Sequence, residues 1–169
     1  MNNNIRIVKS FMGEKDSQVL HEYLQMIDDQ FKDFGNTEKE FKFYADIQDS
    51  EISELINFYG KRVLEFVRNH YEGPFDEYDQ SKTHIARFEE GHGMHEHFDS
   101  TKPNDIATLI YINSNYEGGE LFFTDHDVLI KPEPGDLVCF PDTPEFVHGV
   151  KPIVGGIRYT IPRWFTRIV

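Results

Sequence analysis

The chain has 169 residues, which predicts one domain over 1–169, and its 38% hydrophobic content, with 14% aromatic residues, excludes a disordered acidic tail. Its 17 Lys and Arg face 30 Asp and Glu, a formal charge of −13, which excludes a duplex nucleic-acid binder led by phosphate contacts. No apolar run approaches the roughly 18 residues of a membrane helix, and Met1 to Ile5 lacks signal-peptide character, so no membrane contact and a cytoplasmic location are expected.

Two amphipathic helices come first. Val19, Leu20, Tyr23, Leu24, Ile27 and Phe31 recur at spacings of three and four, with Asp16 or Ser17 as the expected cap. Phe41, Phe43 and Tyr44 then mark a short strand or an ordered loop. Ile52, Leu55, Ile56, Tyr59, Val63, Leu64, Phe66 and Val67 repeat the helical pattern as far as Tyr71, with Ser50 or Ser53 as cap. Residues 72–81 hold Gly73, Pro74 and several acids; they read as a loop and a candidate lid. Beyond Thr83 the apolar runs are short: Ile85 to Phe88, Ile106 to Ile112, Glu120 to Phe123, Val128 to Ile130, Leu137 to Phe140, Phe146 to Val150, and Ile157 to Phe165. Gly, Pro and Asn punctuate them, which predicts an antiparallel sandwich or barrel with the helices on the outer face of one sheet.

Cys139 is the only cysteine, so a metal site must use His and carboxylate. His92, His95 and His97 cluster ahead of Asp99. In an extended chain residues two apart share a face, which leaves two local ligand pairs open, His97 with Asp99 and His95 with His97. A third ligand must come from another strand: His148 lies among apolar residues at a strand start, whereas His126 sits between Asp125 and Asp127 in a loop. Two His and one carboxylate on one face of a metal, with the opposite positions open, is the arrangement of non-haem Fe(II) oxygenases.

Longer patterns narrow these choices. Phe88-x-x-Gly91-x-x-Met94-x-x-His97-x-Asp99 resembles the Tyr-x-x-Gly-x-x-Tyr-x-x-His-x-Asp pattern of the prolyl 4-hydroxylase-like branch of the Fe(II)/2-oxoglutarate oxygenases. The similarity continues through Thr108 to Asn113, Gly118 to Phe123, Pro134 to Phe140, His148-Gly149-Val150 and Gly156 to Thr160, and closes at Trp164-Phe165. These pieces run in family order over residues 83–165.

The resemblance implies an α+β fold: a double-stranded β-helix (jelly-roll) core over 83–169, with N-terminal helices, 1–75, packed on one sheet as support. It implies His97, Asp99 and His148 as ligands of Fe(II), and leaves His95 and His126 outside that set. It further implies 2-oxoglutarate and O2 as cosubstrates, with ascorbate as an additional cofactor. Arg158 and Tyr111 take the positions that hold the distal carboxylate of 2-oxoglutarate, and Thr160 shares the face of Arg158. A guanidinium fork suits that task. The implied reaction hydroxylates a C–H bond and yields succinate and CO2; the leading substrate is a prolyl residue of a peptide or protein, with small molecules as the alternative. Phe88 and Met94 depart from the pattern, each standing where the family carries an aromatic hydroxyl. Trp164 and Cys139 read as packing residues. Two rival classes are a jelly-roll binding protein without catalysis and a His/Asp metallohydrolase with Glu96 as base. The first has no use for a cation opposite the metal, and for the second strand alternation points Glu96 away.

Overall fold

A computed structural model describes residues 4–33, 42–44, 47–77, 85–99 and 105–168. In chain order these form β1 (Arg6–Val8), α1 (Glu14–Met26), β2 (Lys32–Asp33), β3 (Lys42–Tyr44), α2 (Ser50–His70), β4 (Phe75–Glu77), β5 (Ile85–Phe88) and β6 (Met94–His97). There follow β7 (Ile106–Tyr111), β8 (Glu117–Gly118), β9 (Leu121–Phe123), β10 (Val128–Ile130), β11 (Leu137–Pro141), β12 (His148–Val150), β13 (Ile153–Gly155) and β14 (Arg158–Arg167). None of the described helices is long and apolar enough to cross a membrane.

The strands make an eight-stranded sheet in the order β1-β11-β7-β14-β5-β3-β2, with β4 also on β14, and a four-stranded sheet in the order β10-β9-β12-β6. Strand alternation gives the large sheet two different faces. On β7, Ile106 and Ile110 join the helix-side core while Ala107 and Tyr111 point between the sheets. β11 repeats this, with Leu137 and Cys139 outward and Val138 and Phe140 inward. The outward residues pack against Leu20, Leu24, Ile56, Val63 and Val67 of the helices, all fully buried. The inward residues meet Leu121, Phe123, Ile130 and Val150 of the small sheet. This is the double-stranded β-helix expected from the sequence, with both helices on one sheet face.

Neither helix is capped by the residues that the sequence suggests. α1 starts after Gly13, because the Asp16 carboxylate accepts the Tyr59 hydroxyl at 2.6 Å and Ser17 Oγ donates to the Ile112 carbonyl at 2.7 Å. Both side chains tie the helix to its neighbours instead of capping it. Asp49 caps α2, accepting from the backbone N–H groups of Glu51 and Ile52, while Ser53 Oγ donates to the Ile47 carbonyl. The 72–81 segment is not wholly a loop: β4 pairs with the end of β14, and residues 78–81 of the candidate lid lie outside the described residues. Phe41 lies outside them too, while the strand option at Phe43 and Tyr44 is realised as β3. The N-terminal segment also contributes β1 at the edge of the large sheet, through Ile7 opposite Val138.

Candidate metal and carboxylate site

Residues 97 and 148 meet because β6 and β12 are antiparallel neighbours with His97 directly opposite His148. Their ring centroids are 4.6 Å apart. Asp99 follows β6 by two residues and brings Oδ1 to 3.3 Å from His97 Nε2. One donor atom from each of the three side chains lies within 4.8 Å of the other two. His97 Nδ1 is 2.7 Å from the His95 carbonyl and His148 Nδ1 is 3.0 Å from the Phe146 carbonyl. With Nδ1–H donating to the backbone, each ring is fixed with its Nε2 lone pair available to a metal.

Simple alternation misplaces His95. The register passes from His148 opposite His97 to Val150 opposite Met94, three residues against two. This β-bulge turns both Met94 and His97 partly inward and leaves His95 and Glu96 exposed. His95 and His97 therefore do not share a face, and Glu96 stands outside, where a general base is of no use. His126 directs Nε2 to the Glu145 carbonyl at 2.8 Å.

The three ligand candidates sit in unequal fields. Burial, reinforced by the His97 charge, holds the His148 imidazole down to about 4, so it is neutral at physiological pH. Burial also depresses His97, but the Asp99 hydrogen bond, the His95 carbonyl and the charges of Asp99 and Asp142 outweigh it and raise the group. For Asp99 burial favours the acid, yet hydrogen bonds from His97 and Trp164 and the charges of both histidines win, keeping it below its usual range. The outcome is two imidazoles and a carboxylate converging on one point, a hard and borderline donor set for a divalent ion.

Trp164 has a larger part than packing. Its Nε1–H donates to Asp99 Oδ2 at 2.7 Å, while the Asp99 backbone N–H donates to Asp142 Oδ1 at 2.9 Å. Trp164 belongs to β14 and Asp142 follows β11, so the large sheet grips the loop that carries the carboxylate. Burial and the Asp99 charge push Asp142 up to about 6. Sequence reading missed Asp142, whose only local signal is an acid directly after the buried strand Leu137–Pro141.

The inward face of β14 holds the second half of the site. Arg158 is 1% exposed, lies opposite Phe88, and has its guanidinium 4.9 Å from both the Phe88 and Tyr111 ring centroids. Its Nη2 donates to the Tyr111 hydroxyl at 3.0 Å. Phe88 thus supports the cation face-on in place of offering a hydroxyl. Thr160, wholly buried, lies opposite Tyr111. Arg158 Nε, Thr160 Oγ1 and Tyr116 Oη are buried without hydrogen-bond partners. Buried polar atoms normally find partners, so three orphans beside one buried cation describe a cradle for an anion. Gly118-Gly119 is more than turn punctuation: Gly119 has φ +70°, and a Cβ there would meet Tyr116 Cε2 at 3.1 Å and Arg158 Cδ at 3.2 Å. Tyr116 is the residue that motif spacing did not single out.

Residues 83–166, about half of the chain, match the family model of the 2OG-Fe(II) oxygenase superfamily. The chain belongs to this superfamily. Among similar oxygenases is prolyl 3-hydroxylase 2 of Gallus gallus, 40% identical over 67 residues, covering 37% of this chain and 10% of that protein. Prolyl 3-hydroxylase 2 of Homo sapiens is 39% identical over the same length, again 10% of that protein. The chain therefore spans about a tenth of the length of the curated relatives it matches. Two solved structures share the fold. A Trichoplax adhaerens prolyl hydroxylase in complex with a hypoxia inducible factor peptide fragment has TM-score 0.79 at 19% identity, covering 98% of this chain and 84% of that one. A Pseudomonas putida prolyl-4-hydroxylase has TM-score 0.75 at 17% identity, covering 99% and 95%. The superfamily's cofactors are Fe(II), 2-oxoglutarate and O2, and the His97, Asp99 and His148 donors fit the first as the orphaned cradle fits a dicarboxylate.

Proposed function

We propose that this oxygenase hydroxylates a C–H bond of a prolyl residue in a peptide or protein, with 2-oxoglutarate as cosubstrate. The observation that carries the reading is one interior holding a His97, Asp99, His148 cluster together with the buried Arg158. His97, Asp99 and His148 would hold Fe(II); when bound, the ion supplies oxidative decarboxylation of 2-oxoglutarate coupled to C–H hydroxylation, with succinate and CO2 as products. Ascorbate belongs to the same proposal as an accessory cofactor. Arg158 and Tyr111 bind the distal carboxylate and so orient the keto acid toward the metal ligands. Trp164 and Asp142 keep Asp99 in place, and neutral His148 needs no proton loss before ligation. Phe123, Phe140 and Val150 line the interior and exclude water from it.

Peptide substrates are favoured over small molecules by the prolyl 3-hydroxylase relatives and by the peptide-bound structural neighbour. Position on the ring is a separate question, since the sequence relatives are 3-hydroxylases and a structural neighbour is a 4-hydroxylase. Incubation of a proline-rich peptide library with the enzyme, Fe(II), 2-oxoglutarate and O2, followed by amino-acid analysis, should yield hydroxyproline and one regioisomer. Asp99→Ala should abolish succinate formation. Succinate production by that variant at the parent rate would remove the triad assignment. A cytoplasmic location is part of the same proposal and is checked by cell fractionation.

A further inference from the structure

Beyond Arg158 and Tyr111, we infer that the Tyr116 hydroxyl is a third donor to the distal carboxylate of the cosubstrate, an assignment that rests on the proposed 2-oxoglutarate chemistry. Tyr116 follows β7 on the segment leading into β8, and its side chain is 5% exposed within the inter-sheet core. Its Oη is buried with no acceptor for its proton, the neighbouring polar group being the Arg158 guanidinium, which can only donate. The oxygen lies in the field of Arg158 and of Tyr111, the two groups that already meet at 3.0 Å.

Two features hold the ring in this position. Gly119 and Gly156 let the backbone approach it: a Cβ at Gly119 would come within 3.1 Å of Tyr116 Cε2, and one at Gly156 within 3.0 Å of Tyr116 Cα. Burial pushes the phenol up to about 12 against the pull of Arg158, so it stays a neutral O–H donor. A guanidinium only donates, so the neutral O–H beside it finds no acceptor there; an incoming carboxylate supplies one. Arg158 Nε and Thr160 Oγ1, also orphaned, face the same choice. Phe88 stands on the other side of the guanidinium with no hydroxyl to give, so Tyr116 restores a phenolic donor from a different strand connection.

The test is equilibrium binding of 2-oxoglutarate to the Fe(II)-loaded enzyme under anaerobic conditions, comparing wild type with Tyr116→Phe. The dissociation constant should rise roughly tenfold in the variant, the size of one hydrogen bond to a charged group. Fe(II) affinity should not move. The comparison is repeated with 2-oxopentanoate, which carries a methyl group in place of the distal carboxylate; there wild type and variant should bind equally. Equal 2-oxoglutarate binding by wild type and variant overturns the inference, as does an equal loss with both keto acids, which marks a packing defect. No 2-oxoglutarate binding by the wild type is a different result and overturns the cosubstrate reading itself. If Tyr116→Phe does not fold, 3-fluorotyrosine at position 116 gives the answer by fluorine NMR. Its resonance should shift with 2-oxoglutarate and not with 2-oxopentanoate; the same response to both overturns the assignment.

Discussion

The two faces of the large sheet are built from the same strands and do opposite things. On β14, Tyr159, Ile161 and Phe165 point toward the helices, and Arg158, Thr160 and Trp164 point toward the small sheet. Outside, several buried polar groups are tied to neighbouring elements: Arg87 pairs with Asp28 and Glu89, the Tyr159 hydroxyl donates to Asp28, and Arg163 Nη2 donates to the Ile56 carbonyl. Inside, Arg158 Nε, Thr160 Oγ1 and Tyr116 Oη have no partner. What distinguishes the inner face is that its open atoms gather around one buried guanidinium, where an anion would complete them. Substitutions on the two faces should therefore separate stability from binding.

The largest effect on the inner face is expected from Arg158→Gln. It removes the guanidinium proposed to hold the distal carboxylate and should weaken 2-oxoglutarate about a hundredfold or more while Fe(II) affinity and the unfolding midpoint change little. An equal loss of Fe(II) affinity would blur the division between the two halves of the site. On the outer face, Ile56→Ala deletes a fully buried side chain of α2. It should cost about 2–5 kcal/mol in denaturant unfolding, with 2-oxoglutarate affinity of the folded fraction unchanged.

Trp164→Phe tests the grip on Asp99. Loss of a hydrogen bond to the proposed metal ligand Asp99 should lower Fe(II) affinity by about 10- to 100-fold, measured by competition with a chelator, with a much smaller effect on stability. Unaltered metal affinity would return Trp164 to a packing role. The smallest expected effect is the titration of the metal-free enzyme. The His148 ring resonance should titrate near pH 4, below that of His97. Its folded value lies below the ordinary imidazole value of 6.5, so between these limits the unfolded chain takes a proton that folded His148 refuses. The His148 contribution to stability is accordingly present above about pH 6.5 and lost as pH falls toward about 4. A His148 midpoint at or above that of His97 would contradict this ordering.

Much of this division is legible in the chain, because burial obeys periodicity. The run Ile106 to Ile112 alternates faithfully between helix side and interior, and α1 and α2 bury Leu20, Leu24, Ile56, Val63 and Val67 as their spacing predicts, although Val19 is exposed and α1 ends at Met26, short of Ile27 and Phe31. That His97, Asp99 and His148 come together was legible through motif order, since a His-x-Asp and a distant His on a short strand are both visible. Three features were not. The bulge opposite His148 and Val150 has no Gly or Pro signal within Met94–His97, so alternation alone pairs His95 with His97 wrongly. Asp16 and Ser17 look like caps but have tertiary partners. Trp164, Asp142 and Tyr116 act across sheets, and contacts of that kind, 65 residues apart for Trp164 and Asp99, leave no local pattern.

The central claim is that the cluster and the cradle serve one metal-bound keto acid. It is tested most directly by adding Fe(II) and 2-oxoglutarate to the protein without oxygen and recording the visible spectrum. The charge-transfer band of the chelate should appear, be absent when either component is left out, and be followed by succinate when O2 is admitted. No band together with no succinate would contradict it and leave a jelly-roll that binds without oxidising.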